Sequence, residues 1–478
     1  MASKKTLNAK NLEALGAERL AQLLIEISTG SAAAKRRLRL ELAGALGPAE
    51  VARDIRKRLS TIARSRSHIA WDKTKALVQD LEMQRSGIVE KVAPTDPHEA
   101  LDLMWRFLGL AEPIYMRCND SDGSIGYMFR GALADMKQIA EAARPEANLL
   151  ADRVFTALQE NGHGRFNDLI PQLAPVLGPG GLAHLKSRVL ELAEQDAPVP
   201  LEDEPMVAGR GGTGKSYADE LAARARRTVV RFALMDIADA TGDVDSFIGQ
   251  CDAQKQKVPD VAAAIAERLL AAGRAEDAWG FLERAEVRDL EWGAADWERV
   301  RLDVLEAFGR GEEAQAFRLD CFKRRLDPEH LRAYIKRLPD FDDIEAEDKA
   351  LAYASAYPDV LRALDFLLLW PALDRAAHLV TKRTGELDGK FYEILAPAAE
   401  DLAEKYPLAA TLALRAMIDF ALNTQRSKRY GHAARHLLEC ARLAGGIEDF
   451  GDFEPHAAYL ANLKARHGRS YSFWQHVA

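Results

Sequence analysis

The chain has 478 residues, 48% hydrophobic and 29% charged, with a formal net charge of −8. These proportions suit a folded protein with sizeable cores and exclude a largely disordered chain. The acidic balance argues against wholesale coating of nucleic acid.

Aromatic residues make up only 7%, and segments rich in Ala, Leu, Arg, Glu and Asp favour helix over strand. The opening MASKKTLNAKNLEALG lacks the apolar core of a secretory signal. No apolar run approaches the roughly 20 residues of a membrane helix. The four cysteines, Cys118, Cys251, Cys321 and Cys440, are too scattered for a disulfide framework or a zinc ribbon. A reducing, bacterial-type cytoplasm is the expected setting.

Apolar residues recur at helical spacing over 12–27: Leu12, Leu15, Leu20, Leu23, Leu24 and Ile27. A second helix is predicted from 32 to about 46, closed by Gly47-Pro48, and a third from 49 carrying Val51, Ile55, Leu59 and Ile62. Connections this short pack neighbouring helices antiparallel. The pattern continues over 71–81, 97–110, 129–142, 151–160 and 182–194, with no convincing period-two strand. Residues 195–216 break it with prolines, acids and glycines, the composition of a linker. Helical periodicity returns over 217–240.

The second half carries a repeat. Gly273-Arg-Ala-Glu-Asp-Ala278 and Gly309-Arg-Gly-Glu-Glu-Ala314 each join two helical segments, 36 residues apart. The glycine ends one helix in a left-handed cap, the acids sit at the positive start of the next, and the small alanine lets the pair close. The spacing is near the tetratricopeptide period of about 34. Further helices are predicted over 346–354, 359–369, 374–382, 391–405, 407–423 and 430–444. The expected fold is all-α, with antiparallel helix pairs stacked as a TPR/HEAT-like α-solenoid. It comprises an N-terminal helical domain over 1–195, a flexible linker over 196–216 and a C-terminal TPR-like domain over 217–478.

One motif is tempting. Gly209-Arg-Gly-Gly-Thr-Gly214-Lys215-Ser216 satisfies the P-loop pattern, in which backbone amides cradle phosphates, the lysine reaches the β/γ oxygens and the serine hydroxyl meets magnesium. A P-loop hangs from a buried parallel strand, however, and the residues before Gly209 are acidic and proline-broken. Linker is the preferred reading, with a phosphohydrolase through Gly209, Gly214, Lys215 and Ser216 as the alternative.

Weaker constellations complete the inventory. Asn119-Asp120-Ser121-Asp122-Gly123 resembles half of a calcium loop, but Phe129 stands where a bidentate Glu is required, so an Asx-type turn is expected. His432 and His436 share a helix face with Cys440 one turn on, a spacing that can hold a metal; without a carboxylate cluster a packed helix is preferred. From Lys35 to Lys75 there are twelve Lys/Arg against four acids. Such a segment suits phosphates or an acidic partner, and otherwise reads as a solvated face paired with the acidic remainder.

The tail is distinctive: Lys405-Tyr-Pro-Leu-Ala-Ala-Thr-Leu, Arg426-Ser-Lys-Arg-Tyr-Gly-His-Ala-Ala-Arg-His-Leu, and His467-Gly-Arg-Ser-Tyr-Ser-Phe-Trp474. With Trp105-Arg-Phe-Leu and Cys118-Asn-Asp-Ser-Asp-Gly, it resembles a family of uncharacterised, all-helical bacterial proteins. The C-terminal region is also similar to the tail of proteins carrying a SWIM-type zinc finger. The finger itself, a CxC followed by CxH, is absent here, so neither zinc nor a nucleic-acid role carries over. The resemblance implies a fold and no activity.

The functional expectation is a non-enzymatic helical-repeat scaffold, without cofactor, that binds a protein partner in a concave groove. The candidate contact residues are Arg426, Lys428, Arg429, Tyr430, His432 and His436, with Trp474 as a docking anchor. The alternatives are the phosphohydrolase above and nucleic-acid association through residues 35–75.

Overall fold

The computed structural model describes residues 6–161, 164–194, 214–287 and 294–477. Among them the regular elements are helices, and the only β-type pairing is an isolated bridge between Ile69 and Cys118. The chain is an all-α protein of stacked, contacting helix pairs, of TPR/HEAT-like solenoid type. It divides into two compact units, Met1–Gln256 and Lys257–Ala478. The helix Gly214–Thr241 belongs to the first unit, where it packs on Leu169–Glu194. The sequence had suggested a new domain from residue 217. Most of the linker expected between them, residues 195–213, lies outside the described residues.

In the first unit, Pro48–Arg64 turns Val51, Ala52, Ile55, Leu59 and Ile62 inward, the stripe of an amphipathic helix. Pro97–Leu108 and Ser124–Ala143 pack against each other through Phe107 and Phe129, whose ring centroids lie 5.8 Å apart. The loop before Ser124 is the Asx-type cap expected of it. Both Asp120 oxygens accept backbone amides, from Ile125 (2.9 Å) and Gly126 (2.8 Å), and Asp122 accepts from Ser124. Two helical segments meet at residue 178, just before the helix predicted from 182. Leu169–Glu194 kinks at Gly178, which takes φ 58°, with Pro175 and Pro179 on either side.

In the second unit both repeat caps are formed. The amide of Arg274 bonds back to Leu269 (2.8 Å) and that of Arg310 to Leu305 (2.9 Å), with Gly273 at φ 76° and Gly309 at φ 69°. This six-to-one closure ends a helix on its own orphan carbonyls. Four residues later Ala278 and Ala314 are fully buried, so the next helix can close on the last. The same closure recurs from Ala372 to Leu367 and from Arg426 to Ala421, with buried Ala376 and Tyr430 four residues on. From Pro259–Ala271 to Tyr430–Ala444, each helix packs on the one that follows it. No helix among the described residues is long and apolar enough to cross a membrane.

Candidate functional site

The distinctive tail text falls on a 3-10 turn, Ser427–Arg429, and the helix Tyr430–Ala444. Arg426 and Lys428 are exposed. Arg429 is half-buried and lays its guanidinium over the Tyr392 ring (4.6 Å to the centroid) and, more distantly, over Phe420 (5.6 Å). His432 is exposed, and its Nδ1 accepts from Arg435 Nη2 at 2.9 Å. His436, one turn further, is half-buried. Burial holds its imidazole below the ordinary histidine range, helped by the neighbouring His432 and Arg435, so it is neutral at pH 7.

Four of these side chains, Lys428, Arg429, His432 and His436, line one pocket of about 360 Å³. Its apolar walls are Tyr392 and Ala396 from Tyr392–Leu402, Met417 and Ala421 from Pro407–Asn423, and Ala433. Gly389 completes the lining in the loop before Tyr392. Only glycine fits there, because a Cβ would stand 2.0 Å from the Ala416 carbonyl oxygen. Among the described residues, no carboxylate lines the pocket. A cationic rim over an apolar floor, within the size range of small-ligand sites, suits an anion attached to a compact apolar group.

The other three tail candidates sit elsewhere: exposed Arg426 is not among the lining residues, and the two aromatics turn to the core. Tyr430 is 6% exposed and meets Phe473 edge-on at 6.0 Å, so it serves the core. Trp474 is half-buried against Phe473, and its Nε1 donates to the His467 carbonyl at 2.9 Å. The residue that anchors the C-terminal segment is Phe473, which is fully buried.

Cys440 is buried and directs its thiol to the Thr411 carbonyl. Among the described residues, one trio of ligand-type side chains comes within reach of a shared ion: Glu298, Cys321 and His330, with donor atoms within 4.8 Å of one another. They lie on three successive helices, Ala294–Ala307, Gly311–Arg325 and Pro328–Ile335. Glu298 is only 1% exposed and already receives Arg325, His330 (3.3 Å) and Arg324 (3.4 Å). Arg324 also donates to Cys321 Sγ at 3.2 Å, and burial pushes that thiol up to about 12. A metal would need the thiolate and would have to settle beside two guanidiniums. The trio is best described as a buried ion-pair staple across three helices.

The basic segment is only partly neutralised. Arg36 and Arg58 converge on buried Asp80, Arg53 pairs with Glu50 and Arg56 with Glu99. Among the described residues, Lys35, Arg37, Arg39, Lys57, Arg64, Arg66, Lys73 and Lys75 have no carboxylate partner. Gly209 lies outside the described residues, while Gly214, Lys215 and Ser216 open the helix Gly214–Thr241.

Fold and pocket together define an all-α helical-repeat protein with a candidate site for an anionic ligand. The chain belongs to a family of unknown function (DUF6880), whose profile matches residues 2–476. No curated protein and no solved structure matches it.

Proposed function

We propose that this is a non-enzymatic helical-repeat scaffold whose second unit holds an anionic segment of a protein partner against Lys428, Arg429, His432 and His436. The supporting observation is the pocket itself, four basic side chains around an apolar floor with no carboxylate in the lining among the described residues. Rigid stacked helices supply such a surface without induced fit, so little ordering entropy opposes binding. A pull-down with wild type beside Lys428→Glu/Arg429→Glu tests it, circular dichroism showing that both are folded. A protein retained by wild type and absent from the variant is expected. Equal recovery, or none from either, overturns the reading.

A second reading draws on the eight basic residues of segment 35–75 that lack a carboxylate partner. The face lined by Arg53, Arg56, Lys57 and Arg64 also carries the hydroxyls of Ser60, Thr61 and Ser65; Arg53 and Arg56 are paired with Glu50 and Glu99, while Lys57 and Arg64 have no carboxylate partner among the described residues. Cations and hydroxyls without aromatic platforms suit phosphate contacts that ignore base sequence. Binding of a random-sequence DNA duplex should then weaken steeply with salt, and Lys57→Glu/Arg64→Glu should flatten that slope. A duplex that fails to bind at 50 mM salt, on the order used for such assays, removes this reading.

A further inference from the structure

We infer that the pocket's occupant is the carboxyl end of the partner chain, its last residue bearing a bulky apolar side chain. This rests on the protein-binding reading above and names the element of the partner that enters.

The pocket's size comes first. At about 360 Å³ it is of a size to take one large residue with its carboxylate. Its layout comes next. The two cations, Lys428 and Arg429, stand on the turn Ser427–Arg429, with the imidazoles of His432 and His436 on the first turns of Tyr430–Ala444, while Ala396, Met417 and Ala421 come from the two preceding helices. A ligand must therefore present charge and apolar bulk close together. An internal Asp or Glu places its charge at the tip of a polar side chain and continues as polar backbone in both directions. A chain terminus carries its carboxylate and its side chain on the same carbon, which matches the two walls.

The donors fit as well. Arg429 is already fixed by the Tyr392 ring, and its Nη1 reaches towards the Lys390 carbonyl (3.5 Å). Held there without a carboxylate partner among the described residues, it is preorganised for a planar two-oxygen anion. His436, half-buried on the floor side, offers an imidazole N–H in the same space, and Lys428 adds charge from the exposed rim. Together these are the parts of a terminal-carboxylate receptor, a recognition mode that helical surfaces share with other peptide-binding folds.

The test uses fluorescein-labelled Gly-Ser-Gly-Ser-Xaa peptides, with Xaa as Phe, Leu, Ile or Trp, read by anisotropy on the full chain. Each is compared with its C-terminal amide and with an amidated peptide containing internal glutamates. The free acids should bind at least about tenfold tighter than the amides. That preference should vanish in Arg429→Ala and His436→Gln, and in Lys428→Glu, whose exposed position leaves the fold intact. Equal binding of acid and amide overturns the inference. So does failure of every free acid to bind at about 1 mM. If internal-glutamate peptides bind better and still depend on Arg429, the inference falls while the protein-binding reading stands. If free 3-phenylpropionate displaces the probe as well as the peptide does, the pocket is a small-acid site and the chain-end assignment fails.

Discussion

Glutamine in place of Glu298 keeps the side chain's shape and removes one charge, so it isolates what the carboxylate does. Glu298 is 1% exposed and ties Arg324, Arg325 and His330 to the helix Ala294–Ala307. Breaking a buried ion pair from one side costs roughly 3–5 kcal/mol, chiefly because the other charge is left stranded. Here Arg324 and Arg325 keep 30% and 19% exposure. They can turn partly to water, which brings the expected loss to about 2–4 kcal/mol.

The pH dependence follows from the same contacts. Burial alone would push the Glu298 carboxyl up, but hydrogen bonds from His330 and Arg325, with their charge, outweigh it and hold the group below its ordinary value. A carboxyl lowered on folding contributes stability that is fully present above its unfolded value and is lost as pH falls through its folded one. The gap between wild type and Glu298→Gln is therefore widest near neutrality and closes below about pH 4. Urea denaturation followed by circular dichroism at a series of pH values measures it. A loss under about 0.5 kcal/mol at pH 7, or a gap that widens in acid, would refute the staple.

Other consequences are as direct. Gly389→Ala drives a methyl into the Ala416 carbonyl, part of a helix backbone that cannot turn aside. It should cost about 1–3 kcal/mol in denaturant and weaken probe binding in the pocket; an unchanged midpoint would show that the loop has room to shift. Phe473→Ala should cost about 3–5 kcal/mol and hasten tryptic cleavage at Arg466 and Arg469, with Trp474→Ala doing less; equal effects would mean that Trp474 is the anchor after all. For the glycine-rich stretch, calorimetry with ATP and magnesium should show no heat from wild type or Lys215→Ala. Saturable heat lost in the variant would establish a phosphate site.

Much of the fold could be read from residue spacing. The caps at Gly273 and Gly309 announce themselves because glycine takes the left-handed position in both. The equivalent closure at Arg426 stays hidden because Gln425 takes that conformation, at φ 53°, and no residue type marks it. Half of the pocket was legible for a related reason. Lys428, Arg429, His432 and His436 are clustered in sequence, whereas Tyr392, Ala396 and Met417 come from two preceding helices and look like ordinary helix residues. Gly389 is no more conspicuous, since its necessity comes from Ala416, 27 residues away. Tyr430 and Trp474 read as surface aromatics until Phe473, unremarked in the sequence, is seen to draw both toward the core. Glu298 gave no signal at all, because a buried carboxylate is recognised only by the cations that fold against it.

The two buried thiols of the second unit amount to a built-in clock. Cys321 sits in the staple and Cys440 on the helix that lines the pocket, and burial pushes both up to about 12. Neither meets a thiol reagent until its own helix opens, so each labelling rate times one local opening. Rates that agree describe a stack that opens as one cooperative body. Rates that differ mean that the helices around the pocket can part while the staple stays shut, so a bound partner would be released without unfolding the unit.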